Sequence, residues 1–350
     1  MNKIITISGE PASGKSTVIK DLKRKYEEQG IKVTVLSLGQ IIRAIAQKEN
    51  LSIAEFNEQL KHRKDIDYRV DSMTKKYGEE FNNTRGEDEI LIIDARLAWK
   101  TVPESFAIRL TAIDSVAAKR AFNDPKRGKE DKYASIEDAL KATSERKKGE
   151  VERYKMRYGV DLEDENNYNL VIDTSFSDVG DISNTIMECF ELEKQGKSYG
   201  RNWTSPKTLL PLQDVKETAY LFEEMKKAIL KYGFFPEQTI DAIQVDGVKF
   251  IVDGNHRNFA VASLGGTLVP YQIIGKDDEP MSVYGTSTAR ERIFGFEPKK
   301  LYDYEPTFDK PGKTFSYKEI YPEIFDPKFV EKLKTGKNPD VSDDYDEIEM

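Results

Sequence analysis

Gly9-Glu-Pro-Ala-Ser-Gly-Lys-Ser-Thr17 constrains this chain more than any other segment. It follows an apolar, β-prone run (Ile4, Ile5, Ile7) and opens a helix-patterned stretch. It therefore meets G-x-x-x-x-G-K-[ST] in the strand, loop, helix setting that the motif requires. Gly9 and Gly14 let the backbone turn tightly, so that successive N–H groups across Ala12, Ser13, Gly14 and Thr17 face one anion. The helix that follows adds the positive end of its dipole. Lys15 can reach the β- and γ-phosphates, and the Ser16 hydroxyl can ligate Mg²⁺. The ligand these residues imply is a nucleoside triphosphate with magnesium; the loop alone does not separate a kinase from a GTPase or a motor.

At about 150 residues per domain, the 350 residues predict two domains. Hydrophobic residues make up 38% and charged residues 33%, the balance of a globular protein with a heavily charged surface. The net charge of −8 argues against a duplex-binding module, which carries a basic excess, while leaving room for a local basic face. The single cysteine, Cys189, excludes an intrachain disulfide and points to a reducing, cytoplasmic compartment. With only His62 and His256 beside it, a Cys/His zinc site is excluded. The chain has no run of about 18 apolar residues and enters its first strand directly, so neither a membrane span nor a signal peptide is expected.

Strand signals at residues 4–8, 32–38, 89–93, 106–110 and 170–173 alternate with helical signals at 16–29, 39–84, from 115, 136–158 and 178–194. Such alternation predicts an α/β fold, a parallel sheet with helices on both faces. Residues 124–132, charged and holding Pro125 and Gly128, read as a mobile loop. The predicted organisation is a first domain over 1–192, a linker over 193–206, and a smaller α+β domain over 207–278. A C-terminal extension over 279–337 and an acidic, disordered tail over 338–350 complete it.

Three groups of residues accompany the phosphate loop. Arg43, after the second strand, could bind an acceptor phosphate or lie on a solvated helix. Asp94 and Arg96 follow the apolar run 90–93, and ligands of open α/β sheets bind at such strand ends. Asp94 could hold Mg²⁺ or its water shell, and Arg96 the substrate. A basic set, Lys119, Arg120, Lys126, Arg127, Lys129, Arg146 and Arg153, could close over the phosphates and neutralise the transferring group. Glu145, Glu150 and Glu152 interleave with it, as on an ordinary charged helix, so two or three of the seven are expected to touch nucleotide.

The segments Ile7-Ser-Gly-Glu-Pro-Ala-Ser-Gly-Lys-Ser-Thr17, Leu51-Ser-Ile-Ala-Glu-Phe56, Asp65-Ile-Asp-Tyr-Arg-Val-Asp71, Asp94-Ala-Arg-Leu-Ala98, Glu152-Arg-Tyr-Lys155, Tyr158-Gly-Val-Asp161 and Asn169-Leu-Val-Ile-Asp-Thr-Ser175 resemble, in this order, the cytidylate kinases of the archaeal-type branch. The resemblance covers roughly the first 185 residues. It implies a nucleoside monophosphate kinase fold with an acceptor-binding helical insert and a lid, and transfer of the ATP γ-phosphate to CMP or dCMP. It also implies that Arg43 and Arg96 hold the acceptor, that Asp67 and Asp71 line its side, and that Arg120, Arg146 and Arg153 serve the phosphates. Ala95 stands where the family has glycine, and Gln40 where it has an acidic residue, so a different acceptor is the alternative: a modified base in a nucleic acid, or a small metabolite such as free serine.

In the second half, Asp253-Gly-Asn-His-Arg257 joins a strand to a helix, a second candidate anion site made of Asp253, Gly254, Asn255, His256 and Arg257. With Leu209-Leu-Pro211, Ile229-Leu-Lys-Tyr-Gly233 and Val245-Asp-Gly247, this region (about 205–275) resembles the ParB/sulfiredoxin-like fold. That resemblance implies a second nucleotide site. Asn255 stands where a sulfiredoxin needs cysteine, and only Asp214 matches the carboxylates of the serine kinases, so a nucleotide-sensing role without turnover is a further alternative.

Overall fold

Ile4–Gly9 (β1) is buried along its whole length, as expected of a parallel strand covered on both faces. In the computed structural model the described residues are 3–39, 41, 46–47, 49–51, 55, 59, 64–84, 86, 88–124, 133–212, 219–232, 236–281, 287–298, 317 and 322–337. The chain divides into two compact units, Met1–Arg201 and Asn202–Met350.

In the first unit β1 is followed by Lys15–Glu28 (α1), Lys32–Ser37 (β2), Lys64–Thr84 (α2), Glu89–Asp94 (β3), Ala98–Thr101 (α3) and Phe106–Thr111 (β4). Asp114–Phe122 (α4), Ile136–Tyr158 (α5), Leu170–Asp173 (β5) and Val179–Lys194 (α6) complete it. The strand order is β2-β3-β1-β4-β5, and every pairing is parallel. Adjacent side chains alternate between the two faces. Ile4, Leu91 and Ile93 pack with Phe81 of α2 and with Ala98 and Val102 beside α3. Phe106 packs on Phe190 of α6, ring centroids 5.4 Å apart, while its neighbour Ala107 clusters with Tyr168, Val171 and Trp99 of α3. Helices therefore cover both faces, as the alternating pattern predicts.

α5 begins where Ser135 accepts a hydrogen bond from Asp138 N–H, and Glu137 and Asp138 lie favourably in its first turn. It stops at Gly159, whose φ of 62° is the left-handed conformation that closes helices. Within the long helical region expected over 39–84, the described helix is α2. The loop expected over 124–132 falls, beyond Asp124, outside the described residues until Tyr133. The same holds for the tail over 338–350.

The second unit contains Asn202–Thr204 (β6), Leu209–Pro211 (β7), Ala219–Tyr232 (α7), Ile240–Val245 (β8), Val248–Asp253 (β9), Asn255–Ser263 (α8), Val269–Lys276 (β10), Ala289–Arg292 (α9) and Pro327–Thr335 (α10). Its sheet runs β6-β10-β8-β9-β7 and is mixed: β8 and β9 form an antiparallel hairpin, and β10 is parallel to β8 but antiparallel to β6. Asp246 and Gly247, with φ of 47° and 85°, supply the two left-handed residues of the hairpin turn.

Two expectations about the second half change. The segment expected as a linker, 193–206, contains β6, whose Asn202–Thr204 pairs with Tyr271, Pro270 and Val269. The segment expected as an extension supplies core: Met281, Ile293, Phe296, Tyr317, Ile324 and Leu333 pack with Leu210, Ile243, Phe250 and Phe259. Those side chains complete the cover that Phe259 and Ala262 of α8 begin on that face of the sheet.

Candidate active site

β1 ends at Gly9, opposite Leu110 of β4, and the chain turns there because nothing larger than glycine fits. A Cβ on Gly9 would lie 2.8 Å from Ser13 Oγ and 3.2 Å from the Leu110 carbonyl. Ala12 and Gly14 have φ of 57° and 79°, and Thr17 N–H bonds the Gly14 carbonyl at 2.9 Å as α1 starts. α1 has no side-chain cap and no acidic residue in its first turn, so its positive end is uncompensated. Ser13 is buried, and its Oγ has no hydrogen-bond partner among the described residues. Ser16 and Thr17 are exposed at the head of the helix.

Lys15 is ion-paired with Asp94, whose other oxygen accepts a hydrogen bond from Ser37 Oγ at 2.8 Å. Parallel register explains the meeting: Asp94 pairs with Ile7 of β1 on one side and with Ser37 of β2 on the other. Arg120 reaches over the loop from α4. It donates to Thr174 Oγ1 at 3.0 Å and to the Thr174 and Ser175 carbonyls, while Thr174 Oγ1 donates to the Ser13 carbonyl at 2.9 Å. Its Nη1 lies 4.0 Å from where a Gly14 Cβ would stand.

Arg96 and Arg146 converge on Glu150 of α5, at 2.6 Å and 3.0 Å. Burial alone would raise the Glu150 carboxyl, but Arg96, Arg146 and Arg153 outweigh it and hold it below the usual carboxylate value. Arg153 lies over the Tyr154 ring, 5.0 Å from its centroid, and its Nε is buried with no hydrogen-bond partner among the described residues. Asp71 of α2 accepts a 2.6 Å hydrogen bond from Tyr158 Oη; burial raises its carboxyl, and that bond only partly offsets the rise. Tyr154 stacks on Tyr158, and Tyr68 meets the Tyr158 ring edge-on.

Of the residues expected at the site, the first unit therefore brings together Gly9, Ala12, Ser13, Gly14, Lys15, Ser16, Thr17, Asp94 and Arg120 in one group. Arg96, Arg146 and Arg153 form a second around Glu150. Arg43, Lys126, Arg127 and Lys129 lie outside the described residues, as does the side chain of Asp67. Sequence reasoning missed Glu150 as the meeting point, although its i, i+4 spacing from Arg146 on a helix was the available signal. It also missed Ser37, Thr174 and Tyr158, for which only strand register and tertiary packing give the contact.

In the second unit Gly254 begins α8 with φ of 94°, where a Cβ would strike Ile240 Cδ1 at 2.8 Å. Arg257 does not project free at the helix start: it turns back onto Asp253 at 3.0 Å. Asn255 and Asn258 are buried, and the Oδ1 of each lacks a hydrogen-bond partner among the described residues.

A family model described as an AAA domain matches residues 5–146. The cytidylate kinase of Methanocella arvoryzae is 32% identical over 192 residues, which is 55% of this chain and 99% of that protein. The cytidylate kinase of Methanosarcina barkeri is 34% identical over 173 residues, 49% of this chain and 86% of its own. An S-adenosylmethionine-dependent nucleotide dehydratase of Lacinutrix mariniflava is 31% identical over 195 residues, covering 55% of this chain and 36% of that protein. Among solved structures, a shikimate kinase from Bacteroides thetaiotaomicron aligns over 54% of this chain and 98% of its own at 11% identity, with a TM-score of 0.35. The phosphate loop, the parallel sheet and the two cytidylate kinases make this a kinase-like phosphotransferase, and the chain belongs to the cytidylate kinase family.

Proposed function

We propose that the first unit transfers the γ-phosphate of Mg·ATP to a nucleoside monophosphate, CMP or dCMP. The observation that carries this reading is the pairing of Arg96 and Arg146 with one carboxylate, Glu150, in the same unit as the phosphate loop. Arginines already held around a buried anion form a preorganised place for a phosphate. The Arg153 Nε, buried without a partner, is a donor awaiting an acceptor.

The loop residues fit a polyphosphate. The Gly9 turn has no room for a side chain, the buried Ser13 Oγ lacks a partner, and the α1 dipole is uncompensated. Ser16 and Asp94 are the oxygen donors that would hold magnesium. Magnesium in such sites takes one or two protein ligands and shares the rest with substrate phosphates and water. When bound, magnesium supplies charge neutralisation across the phosphates. Lys15 would leave Asp94 for the phosphates, and Arg120 would hold the loop against Thr174. The acceptor phosphate oxygen is already ionised, so positioning rather than a general base drives transfer.

The second unit we propose to be a ParB/sulfiredoxin-like module with its own nucleotide-phosphate site at Gly254–Arg257. The sharp turn at Gly254 and the start of α8, which has no side-chain cap and no acidic residue in its first turn, support it. A redirected acceptor, in nucleic acid or as a small metabolite, is the second reading, and it rests on Ala95 and Gln40 standing where the family has glycine and an acidic residue.

The test is ADP release from Mg·ATP against CMP, dCMP, UMP, AMP, free serine and single-stranded DNA. Stimulation by CMP or dCMP supports the first reading. Silence with every nucleotide and a response to serine or DNA replaces it with the second.

A further inference from the structure

Glu10 places a carboxylate inside a loop built to bind anions, where it would repel a triphosphate unless neutralised. Two cations hold it. Its Oε1 accepts from Arg109 Nη2 at 2.8 Å and lies 3.1 Å from Lys147 Nζ, and its Oε2 accepts from Ala112 N–H at 3.3 Å. The side chains of Glu10 and Arg109 are 11% and 9% exposed and that of Lys147 29%, so water screens the cluster little. Glu163 closes the set: its carboxylate lies 3.8 Å from Arg109 and 3.7 Å from Lys147, and its carbonyl accepts from Arg109 Nη1 at 3.0 Å. Asp114 stands 4.0 Å from Lys147.

The two cations differ in what they carry. Arg109 lies on β4, in register with Ser8, and is part of the rigid sheet beneath the loop. Lys147 lies on α5, next to Arg146 and less than two turns before Arg153. Arg96, Glu150 and Val151 line the same small cavity as Glu10, Pro11 and Lys147. Lys147 therefore joins the arginine-bearing part of α5 directly to the phosphate loop.

We propose that Lys147 is a positioning residue for phosphoryl transfer. Its ammonium on Glu10 fixes the turn of α5 that carries Arg146 and Arg153 relative to the phosphates. This rests on the phosphoryl-transfer reading above, in which those arginines meet the transferring group. A shift of about 1 Å in such groups can cost on the order of a hundredfold in rate, so a tether of this kind acts on kcat rather than on ATP affinity.

The experiment compares the full chain with Lys147→Met, Lys147→Arg, Glu10→Gln and the double variant Glu10→Gln/Lys147→Met. With CMP as acceptor, Lys147→Met should lower kcat about tenfold or more and change the KM for Mg·ATP by less than about threefold. Lys147→Arg should recover most of kcat, because a guanidinium reaches the same carboxylate. The double variant should be no worse than either single change, since all three remove one link. Wild-type kcat in Lys147→Met, failure of the Lys147→Arg rescue, or losses that multiply would each overturn the proposal.

A second arm does not depend on the acceptor. With Mg·ADP bound, backbone amides of residues 144–153 should exchange hydrogen at least about fivefold faster in Lys147→Met than in wild type, at an unchanged global unfolding midpoint. Equal exchange rates overturn the tether. If wild type shows no CMP-dependent turnover, the functional reading fails by itself, and hydrogen exchange still decides whether Lys147 tethers α5.

Discussion

Lys15, at the head of α1, is ion-paired with Asp94, at the end of β3. The Asp94 side chain is 8% exposed, and its second oxygen is held by Ser37. The loop lysine thus meets a carboxylate that a strand of the sheet supplies and Ser37 orients.

Lys15→Met should therefore do two things. It should remove turnover by a factor on the order of 10² to 10³. It should also destabilise the protein by about 3 kcal/mol, because a nearly buried Asp94 loses its partner. Adding Asp94→Asn should restore most of the stability and none of the activity. Denaturant midpoints and ADP release on the two variants check this separation.

Glu150 gives a pH prediction. Its carboxyl is lower in the folded protein than in the unfolded chain, so its contribution to stability is full above the unfolded value near 4.5 and disappears as pH falls through the folded value. Glu150→Gln should cost about 2 kcal/mol at pH 7, and the difference from wild type should close in acid. Urea unfolding of both proteins between pH 7 and the acid limit of folding measures it.

Asp71 has the opposite sign. Burial raises its carboxyl above the ordinary aspartate value of 3.8, so its ionised form opposes folding and the cost grows as pH rises through the folded value. Asp71→Asn, which still accepts the Tyr158 hydrogen bond, should be at least as stable as wild type at neutral pH. Thermal unfolding at pH 7 checks this, and a lower midpoint for Asp71→Asn would contradict it.

Arg290 ties the end of the chain into the second unit. It is 7% exposed, pairs with Asp278 at 2.9 Å and Asp246 at 3.2 Å, and donates to the Leu333 carbonyl at 2.7 Å. Those carboxylates hold its guanidinium firmly protonated. Arg290→Met should destabilise the second unit by roughly 3 kcal/mol and expose α10 to limited proteolysis. Cleavage near α10 at the wild-type rate would show that the apolar contacts of Ile324 and Leu333 hold it alone.

The phosphate loop, the order of strands and helices and the capping of α5 could be read in the sequence because each is a local pattern: glycines at a fixed spacing, apolar runs of strand length, serine before and glycine after a helix. The hairpin at Asp246-Gly247 is of the same kind. The clustering of arginines was harder. Arg146, Glu150 and Arg153 look alike whether they line a site or a solvated face, and only packing against Arg96 decides between them. The grip of Lys147 on Glu10 had no local signal, since 137 positions separate the two. The role of residues 281–333 in the second core was hidden for a related reason: Met281, Phe296, Tyr317 and Ile324 show no period, because they are spread along the chain rather than repeated in one amphipathic element.

Transfer of labelled γ-phosphate from Mg·ATP to CMP, with the product separated and identified, tests the central claim most directly. Wild type should form labelled CDP at a rate that rises and saturates with CMP, and the Lys15→Met/Asp94→Asn variant, folded to the same extent, should form none. Label that stays in ATP or appears only as inorganic phosphate at every CMP concentration would contradict the account.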